Sequence, residues 1–354
     1  MAMRRIIGGA IGGLVKMPVD LTKMVMRGAA PPSFKLASSL KADAVPELPL
    51  KDVELTSADG TRLHAVVDDG SRRKAGHRPI VFVHGFPENW WSWHSQLEHF
   101  VSLGHPVLAL SKRGYGASDK PVGIDKYHMY NCLAEDVAVA VDFIAGAAGT
   151  KPLLVAHDFG AGVSWAYVGR SVAAKEWPVA GYVAMAVPPT ELMVRNSKGG
   201  LAAIWAGLYM MFFNLPSAPE ILYRFNSAWV AGLTLNDTVR AKGASRARWL
   251  NLHRTDKLQP EAMRAQFDYY RAMLQLRPRP KMENWLTASN QMALPILLMR
   301  GKQDMALIGE LYHGYKELLP NAKLVEFDAC SHWIMADQPD GTNAEIERFL
   351  TQLH

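Results

Sequence analysis

Hydrophobic and polar residues follow two patterns along the chain, and both are typical of β-strands. The segment 53–67 alternates between the two types around Asp59-Gly60, a pair that favours a tight turn, and so predicts a β-hairpin. Elsewhere, short runs are apolar at nearly every position, as in parallel strands that are covered on both faces. These runs comprise residues 79–84, 106–110, 153–156, 179–187, 295–299 and 323–327.

Segments with a helical pattern separate most of these apolar runs. We expect helices over residues 91–103 and 127–146, and a last helix over 342–353. Strands that alternate with helices predict a parallel sheet with right-handed crossovers. The expected fold class is therefore α/β, with a mostly parallel sheet and helices on both faces.

The strand pattern disappears between residue 188 and about residue 293. Helical patterns rich in Trp, Met, Tyr and Phe take its place, including residues 201–213 and 261–276. A helical block inserted between strands of one sheet would cover the strands' carboxyl ends, where open α/β sheets bind ligands. The predicted organisation is an arm and linker (1–45), the first part of the core (46–190), a helical lid (191–293) and the second part of the core (294–354).

The composition is that of a folded protein with a large core. Of the 354 residues, 49% are hydrophobic, and the formal net charge is +6. The basic residues are scattered and form no nucleic-acid motif, so they predict a solvated basic surface and no nucleic-acid partner. Cys132 and Cys330 have no metal-ligand spacing, which predicts no metal and favours reduced thiols in the cytoplasm.

The first 30 residues stand apart from the rest of the chain. Basic residues are interleaved there with Ile, Leu, Val and Met, a composition typical of a segment that lies in a membrane interface. The apolar stretch 6–15 is too short to span a bilayer as a helix. Peripheral membrane contact through residues 1–30 is one prediction, and an arm packed on the core, a dimer contact and a cleaved targeting peptide are the alternatives.

The chemistry centres on the segment 153–163, where an apolar run passes into His157-Asp158-Phe159-Gly160 and then into small residues. This order predicts a strand, a sharp turn and a closely packed helix, the layout of a nucleophile elbow. A carboxylate at the elbow is already ionised at neutral pH, so Asp158 can attack carbon directly and form an ester. On these residues alone, Asp158 is equally well explained as a helix N-cap.

Two further residues complete a triad in the chain order nucleophile, acid, histidine. Asp304 follows the strand predicted at 295–299, and His332 follows the strand predicted at 323–327. Each residue alone is typical of a turn or a helix start. Because all three follow strands in this order, we predict that Asp304 orients His332 and that His332 activates water.

Two longer motifs, taken together with the elbow, resemble those of a known protein family. The segments 84–93 (HGFPENWWSW) and 113–121 (RGYGASDKP), together with the elbow, resemble the α/β-hydrolase-fold epoxide hydrolases. The resemblance implies an α/β-hydrolase fold, an oxyanion hole built from the backbone N–H groups of Phe86 and Phe159, and a cis peptide bond before Pro87. Relatives often carry Asp at Ser111, and Phe159, Ala156 and Ala161 also depart from the family pattern. Together these departures leave substrate choice open.

The same resemblance implies two lid tyrosines that hold the epoxide oxygen. Tyr209 is similar to the first, and Tyr270 to the second, although Tyr269 beside it stays an alternative. A phenol can polarise a neutral oxygen and protonate the emerging alkoxide. The residues expected to contact the substrate are Trp90, Phe159 and Trp333.

The expected activity is the hydrolysis of a small hydrophobic epoxide by water to a vicinal diol, without a cofactor. The nearest alternative is a haloalkane or haloacid dehalogenase, which uses the same three residues but favours other side chains at Phe86 and Phe159. A second alternative is a catalytically silent binding protein with this fold. Retention of nucleophile, base and acid argues against it.

Overall fold

The computed structural model describes the core of the chain and parts of the region predicted as a lid. It covers residues 42, 47–174, 177–197, 210–225, 256, 259, 261–275, 294–304 and 306–353. Tyr209 and the segment 1–30 lie outside the described residues, as does much of the predicted lid. The domain boundaries therefore stay predictions.

Eight strands form one sheet in the order β1-β2-β4-β3-β5-β6-β7-β8. The strands are β1 (Leu50–Thr56), β2 (Arg62–Asp68), β3 (Ile80–Val83), β4 (Val107–Leu110), β5 (Leu153–His157), β6 (Gly181–Met185), β7 (Ile296–Gly301) and β8 (Lys323–Phe327). The first two pair as the predicted antiparallel hairpin, β2 pairs antiparallel with β4, and every other pairing is parallel. The prediction of a mostly parallel sheet is confirmed.

Nine α-helices occur in the described ranges. They are α1 (His94–Leu103), α2 (Ala134–Ala148), α3 (Asp158–Ala174), α4 (Thr190–Asn196), α5 (Ala218–Phe225), α6 (Ala262–Gln275), α7 (Tyr315–Leu318), α8 (Ile334–Asp337) and α9 (Pro339–Leu350). No described helix is long and apolar enough to cross a membrane.

The two long helices before β5 begin later than the sequence pattern predicts. Trp90–Trp93 forms a 3-10 turn before α1, and its start is fixed by the Asn89 side chain, which accepts from the Trp91 amide. A 3-10 turn over Ile124–Tyr127 and a π-helical turn over Met129–Leu133 precede α2. Local side-chain bonds of this kind compete with regular α-helix at a terminus.

Alternate residues of the central strands enter two different hydrophobic clusters. In β3, Val81 and Val83 belong to one cluster, whereas Ile80 and Phe82 belong to the other. Since side chains alternate across a strand, the clusters lie on opposite faces of the sheet. Helix α6 packs into the first cluster and contributes Phe267, among others. The sheet is thus covered on both faces, as the continuous apolar runs predict.

Candidate active site

Asp158 occupies a sharp turn between β5 and α3. Its φ is 48°, in the left-handed region that residues with a side chain rarely adopt. Two glycines leave room for the turn: a Cβ on Gly160 would lie 2.3 Å from the carbonyl oxygen of His84, and a Cβ on Gly85 would lie 2.5 Å from the Cβ atom of Asp158. This geometry is that of an elbow that projects the Asp158 carboxylate away from the sheet.

Both oxygens of the Asp158 carboxylate have a partner. The backbone N–H of Phe86 donates to Oδ1 at 2.8 Å, and His332 Nε2 lies 3.3 Å from Oδ2. Burial alone would raise the pKa of Asp158, but the contact with His332 and the Phe86 amide hold it well below its usual range. The carboxylate is therefore ionised, and 19% of its side chain is exposed. The expected cis bond between Phe86 and Pro87 is present.

Asp304 lies on the other side of the His332 ring. Its Oδ2 is 2.7 Å from His332 Nδ1, while Oδ1 accepts from the amides of Ala306 and Leu307 at 2.8 and 2.9 Å. These amides fix the carboxylate in the turn after β7. Burial lowers the pKa of His332, but the charges of Asp304 and Asp158 outweigh it and raise that pKa well above its usual value. The fold thus brings the predicted triad into contact.

Aromatic rings line the space around this carboxylate. The Phe86 ring contacts those of Phe213 and Tyr270, at centroid distances of 5.5 and 5.2 Å. The half-buried Phe159 ring contacts Tyr269 and Tyr270 at 5.1 and 5.3 Å. The described surroundings of Asp158 are therefore mostly aromatic, and Tyr270, His332 and Lys112 contribute polar groups.

The two neighbouring tyrosines of α6 pack against different parts of the site. Tyr269 is 1% exposed and donates its hydroxyl to the carbonyl oxygen of Arg113 at 2.7 Å. The Tyr270 ring packs against Phe86, whose backbone N–H binds Asp158, and against Phe159, which follows Asp158 in sequence. Of the two, Tyr270 is the one placed beside the nucleophile.

Two tryptophans expected to contact the substrate are buried in the second hydrophobic cluster. Trp90 has no exposed surface and packs in the second cluster, on the face of the sheet opposite Phe86 and Tyr270. Trp333 is 3% exposed in the same cluster, and its ring contacts that of His332 at 5.1 Å. The expectation for Trp90 is therefore corrected, because aromatic surface of this size is buried with other apolar side chains. For Trp333, which contacts the predicted base, substrate contact stays a prediction.

Glu88 and His157 form a buried pair next to the site. They were not identified as site residues from the sequence, although Glu88 lies in the 84–93 motif and His157 in the elbow. Glu88 Oε2 accepts from the Gly85 amide at 2.8 Å and lies 2.8 Å from His157 Nδ1. The other nitrogen of His157 lies 2.9 Å from the carbonyl oxygen of His332. The pair therefore links the loop after β3, the elbow and the backbone of the predicted base. No group of metal-ligating side chains occurs in the parts of the chain that the structure describes.

Comparisons with known proteins agree with this geometry. Residues 80–345 match the Alpha/beta hydrolase family. The AB hydrolase superfamily protein YfhM of Bacillus subtilis is 28% identical over 77% of this chain and 89% of its own length. Epoxide hydrolase 3 of Mus musculus is 28% identical over 84% of this chain and 76% of its own.

A solved epoxide hydrolase from Bacillus megaterium, in complex with an inhibitor, has the same fold. Its TM-score is 0.67 at 23% identity, over 84% of this chain and 99% of that one. The resemblance to α/β-hydrolase-fold epoxide hydrolases is thereby confirmed. With a family match over three quarters of its length, the chain belongs to the alpha/beta hydrolase family.

Proposed function

We propose that the protein hydrolyses an apolar epoxide to a vicinal diol through a covalent ester on Asp158. One observation carries the proposal: an ionised elbow carboxylate lies between a backbone N–H and a histidine that is itself held by a second carboxylate. This arrangement provides a nucleophile for carbon and a base for the water that must release the product. Epoxide hydrolases among the relatives support the choice of substrate.

In the first step, Oδ2 of Asp158 attacks an epoxide carbon while Oδ1 stays hydrogen-bonded to the Phe86 amide. The ring C–O bond breaks, and its electron pair goes to the epoxide oxygen. Tyr270 donates a proton to that oxygen; Tyr209 is the predicted second donor. Tyr269 is a poorer candidate, because its hydroxyl is already donated to Arg113.

Ester formation removes the Asp158 charge that helps to raise the pKa of His332, so His332 releases its proton, and the Tyr270 phenolate regains one from solvent. In the second step, neutral His332 takes a proton from water, and the hydroxide attacks the ester carbonyl. The negative charge that develops on Oδ1 is stabilised by the Phe86 N–H and, by family resemblance, by the Phe159 N–H. Asp304 stabilises the imidazolium form of His332. Collapse of the intermediate releases the diol and restores the carboxylate.

The dehalogenase alternative requires a halide site. The side chains of Phe86 and Phe159 have no polar N–H group for a halide, and the aromatic rings around Asp158 suit an apolar substrate. The phenol of Tyr270 suits an oxygen leaving group. The contacts therefore favour the epoxide.

A single turnover in heavy-oxygen water tests the mechanism. Because water attacks the ester carbonyl, label is expected in the Asp158 carboxylate, and peptide mass spectrometry would detect it. His332→Gln should form the ester and accumulate it, whereas the exposed His313→Gln serves as the matched control with normal turnover. Label that appears only in the diol would exclude the covalent mechanism. Faster ester formation from a haloalkane than from styrene oxide would favour the dehalogenase.

A further inference from the structure

Lys112 places a buried ammonium group close to the nucleophile. It follows β4 directly after Ser111, and 2% of the residue is exposed. Its Nζ atom is buried and has no hydrogen-bond partner within the described parts of the chain. An ammonium ion so placed has lost its hydration and gained no hydrogen bond in return, which is costly unless other charges compensate.

Three aromatic rings surround this ammonium group. Nζ lies 4.9 Å from the ring centroid of Tyr115, 5.0 Å from that of Tyr269 and 5.6 Å from that of Phe159. Ring faces attract a cation, so this cage is a favourable but partial substitute for water. The cage joins the loop after β4, the lid helix α6 and the residue that follows the nucleophile.

The carboxylates around Lys112 come from three elements. The charge of Asp158 on α3 favours the ammonium form most strongly, followed by Glu88 in the loop after β3 and Asp136 on α2. Asp136 is engaged by Arg113, with Nη2 donating to its Oδ1 at 2.6 Å. Glu88 lies beside His157. Asp158 is thus the one of the three whose charge the proposed reaction removes.

The remaining groups that face Lys112 stay uncharged. Nε2 of His84 accepts from the Lys112 backbone N–H at 3.2 Å, and Nδ1 of His84 lies 2.9 Å from the Gly85 carbonyl oxygen. A ring that accepts on one nitrogen and donates on the other is neutral. Burial raises the pKa of Tyr269 well above its usual value, so this phenol stays protonated. Burial also lowers the pKa of Lys112 to about 7, with Asp158 opposing the shift.

We propose that Lys112 is a positioning residue that, as a caged ammonium ion, stabilises the free Asp158 carboxylate over the Asp158 ester, and thereby slows ester formation and speeds ester hydrolysis. The inference rests on the proposed function, since it needs a covalent ester. Ester formation moves the negative charge from Asp158 to the epoxide oxygen, which Tyr270 protonates. The buried ammonium then loses its strongest counter-charge, and its proton is released to solvent when the pH allows.

The reverse change accompanies hydrolysis. Attack by hydroxide creates negative charge on Asp158, first in the tetrahedral intermediate and then in the restored carboxylate. A cation nearby favours both. At a pH at which Lys112 is neutral, it carries no charge that could affect ester formation or ester hydrolysis. The effect must therefore be strong in weak acid and absent in weak base.

Replacing Lys112 with an uncharged residue of similar length tests the proposal. Lys112→Met keeps an apolar, flexible stem inside the cage and removes the charge. Rapid-quench mass spectrometry of the Asp158 peptide with styrene oxide gives both rates. At pH 6, ester formation should become faster and ester hydrolysis slower, each by about fivefold to twentyfold, the scale of one charge interaction inside a protein. At pH 9, both rates should agree with wild type within about twofold.

Two further variants make the result specific. Lys120→Met removes a charge from the same loop, but the charges that act on Lys120 are those of Asp256 and Asp119, so both rates should keep their wild-type values at each pH. Lys112→Arg stays charged at pH 9 and should retain there the slow ester formation that wild type has at pH 6.

The possible failures are distinct. If wild type makes diol without any ester on Asp158, the proposed mechanism is wrong, and this inference fails with it. If the ester forms but Lys112→Met leaves both rates unchanged at pH 6, the inference alone is wrong. A change of the same size at pH 6 and pH 9 would also overturn it, because the lost contribution would then be packing and not charge.

Discussion

Lys112→Met should raise the free energy of unfolding, and the size of this increase should depend on pH in a way that can be calculated. The substitution removes an ammonium group whose Nζ has no hydrogen-bond partner within the described residues, while a side chain of similar length still fills the cage of Tyr115, Tyr269 and Phe159. A thioether packs well against aromatic rings. The cost of burying the charge therefore disappears without leaving a cavity.

The size of the gain follows from the pKa of Lys112, which burial lowers from 10.5 to about 7. Each pKa unit corresponds to about 1.4 kcal/mol. At a pH at which Lys112 is charged in both the folded and the unfolded chain, its burial therefore carries a penalty that lowers the free energy of unfolding by about 5 kcal/mol. Below pH 7 the whole penalty is present. Between pH 7 and 10.5 the unfolded chain binds more protons than the folded one, so wild-type stability rises with pH and the penalty fades. The difference in free energy of unfolding between Lys112→Met and wild type should therefore decrease by about 2.5 kcal/mol from pH 6 to pH 9.

Urea unfolding of both proteins, at pH 6 and at pH 9, measures this difference directly. Any effect of Met packing that does not depend on pH cancels when the two pH values are compared. Lys120→Met is the matched control: its Nζ donates to the carbonyl oxygens of Gly116 and Ser118 at 2.9 Å each, so its loss should destabilise by about 1–3 kcal/mol. A Lys112→Met protein that is less stable than wild type at pH 6, or an advantage that does not change with pH, would refute the reasoning.

Three other experiments separate the remaining assignments. Tyr270→Phe should slow ester formation by about tenfold to a thousandfold in rapid-quench assays. Tyr269→Phe should mainly lower the unfolding temperature, because the Tyr269 hydroxyl binds the Arg113 carbonyl oxygen. Equal rates of ester formation in the two variants would contradict the assignment of Tyr270. Asp304→Asn should slow ester hydrolysis by about a hundredfold or more and leave ester formation less affected; unchanged hydrolysis would exclude Asp304 as the partner of His332. Deletion of residues 1–30 should reduce binding to anionic vesicles at low salt without loss of turnover, and a full-length protein that ignores such vesicles would exclude membrane contact.

Strands were predictable from sequence because their signal is local. A run such as 153–156 is apolar throughout, and the structure places β5 at Leu153–His157. The strand β7 extends to Gly301, beyond the predicted end, because Arg300 and Gly301 pair with β8. That extension depends on a neighbour that the apolar pattern does not reveal.

The triad was predictable for a related reason. Parallel strands end at one edge of the sheet, so residues that follow β5, β7 and β8 converge there. The sequence supplies the residue types and the order, and the fold supplies the distances, 3.3 Å from Asp158 to His332 and 2.7 Å from His332 to Asp304. What stays a prediction is the role of each residue in the reaction.

The burial of particular side chains was not predictable. Trp90 was expected at the substrate, yet it begins a 3-10 turn and is buried in the core. Lys112 is the opposite case, since a lysine in a polar loop segment is normally solvated. Of the three rings that surround it, Tyr115 lies three residues away in sequence, but Phe159 and Tyr269 come from elements far along the chain, so the local sequence does not indicate the burial.

The choice between Tyr269 and Tyr270 was likewise not predictable from the local sequence, although the two residues are adjacent on one helix. Successive residues of an α-helix point about 100° apart, so only one of two adjacent tyrosines can face the nucleophile. Both are aromatic and both are buried, which makes them equivalent to any local pattern. The distinction comes from the loop after β4, where the Arg113 carbonyl oxygen accepts the Tyr269 hydroxyl and so fixes the rotation of α6. With that rotation fixed, Tyr270 packs against Phe86 and Phe159 beside Asp158. A residue outside the proposed reaction thus determines which of the two rings packs beside Asp158.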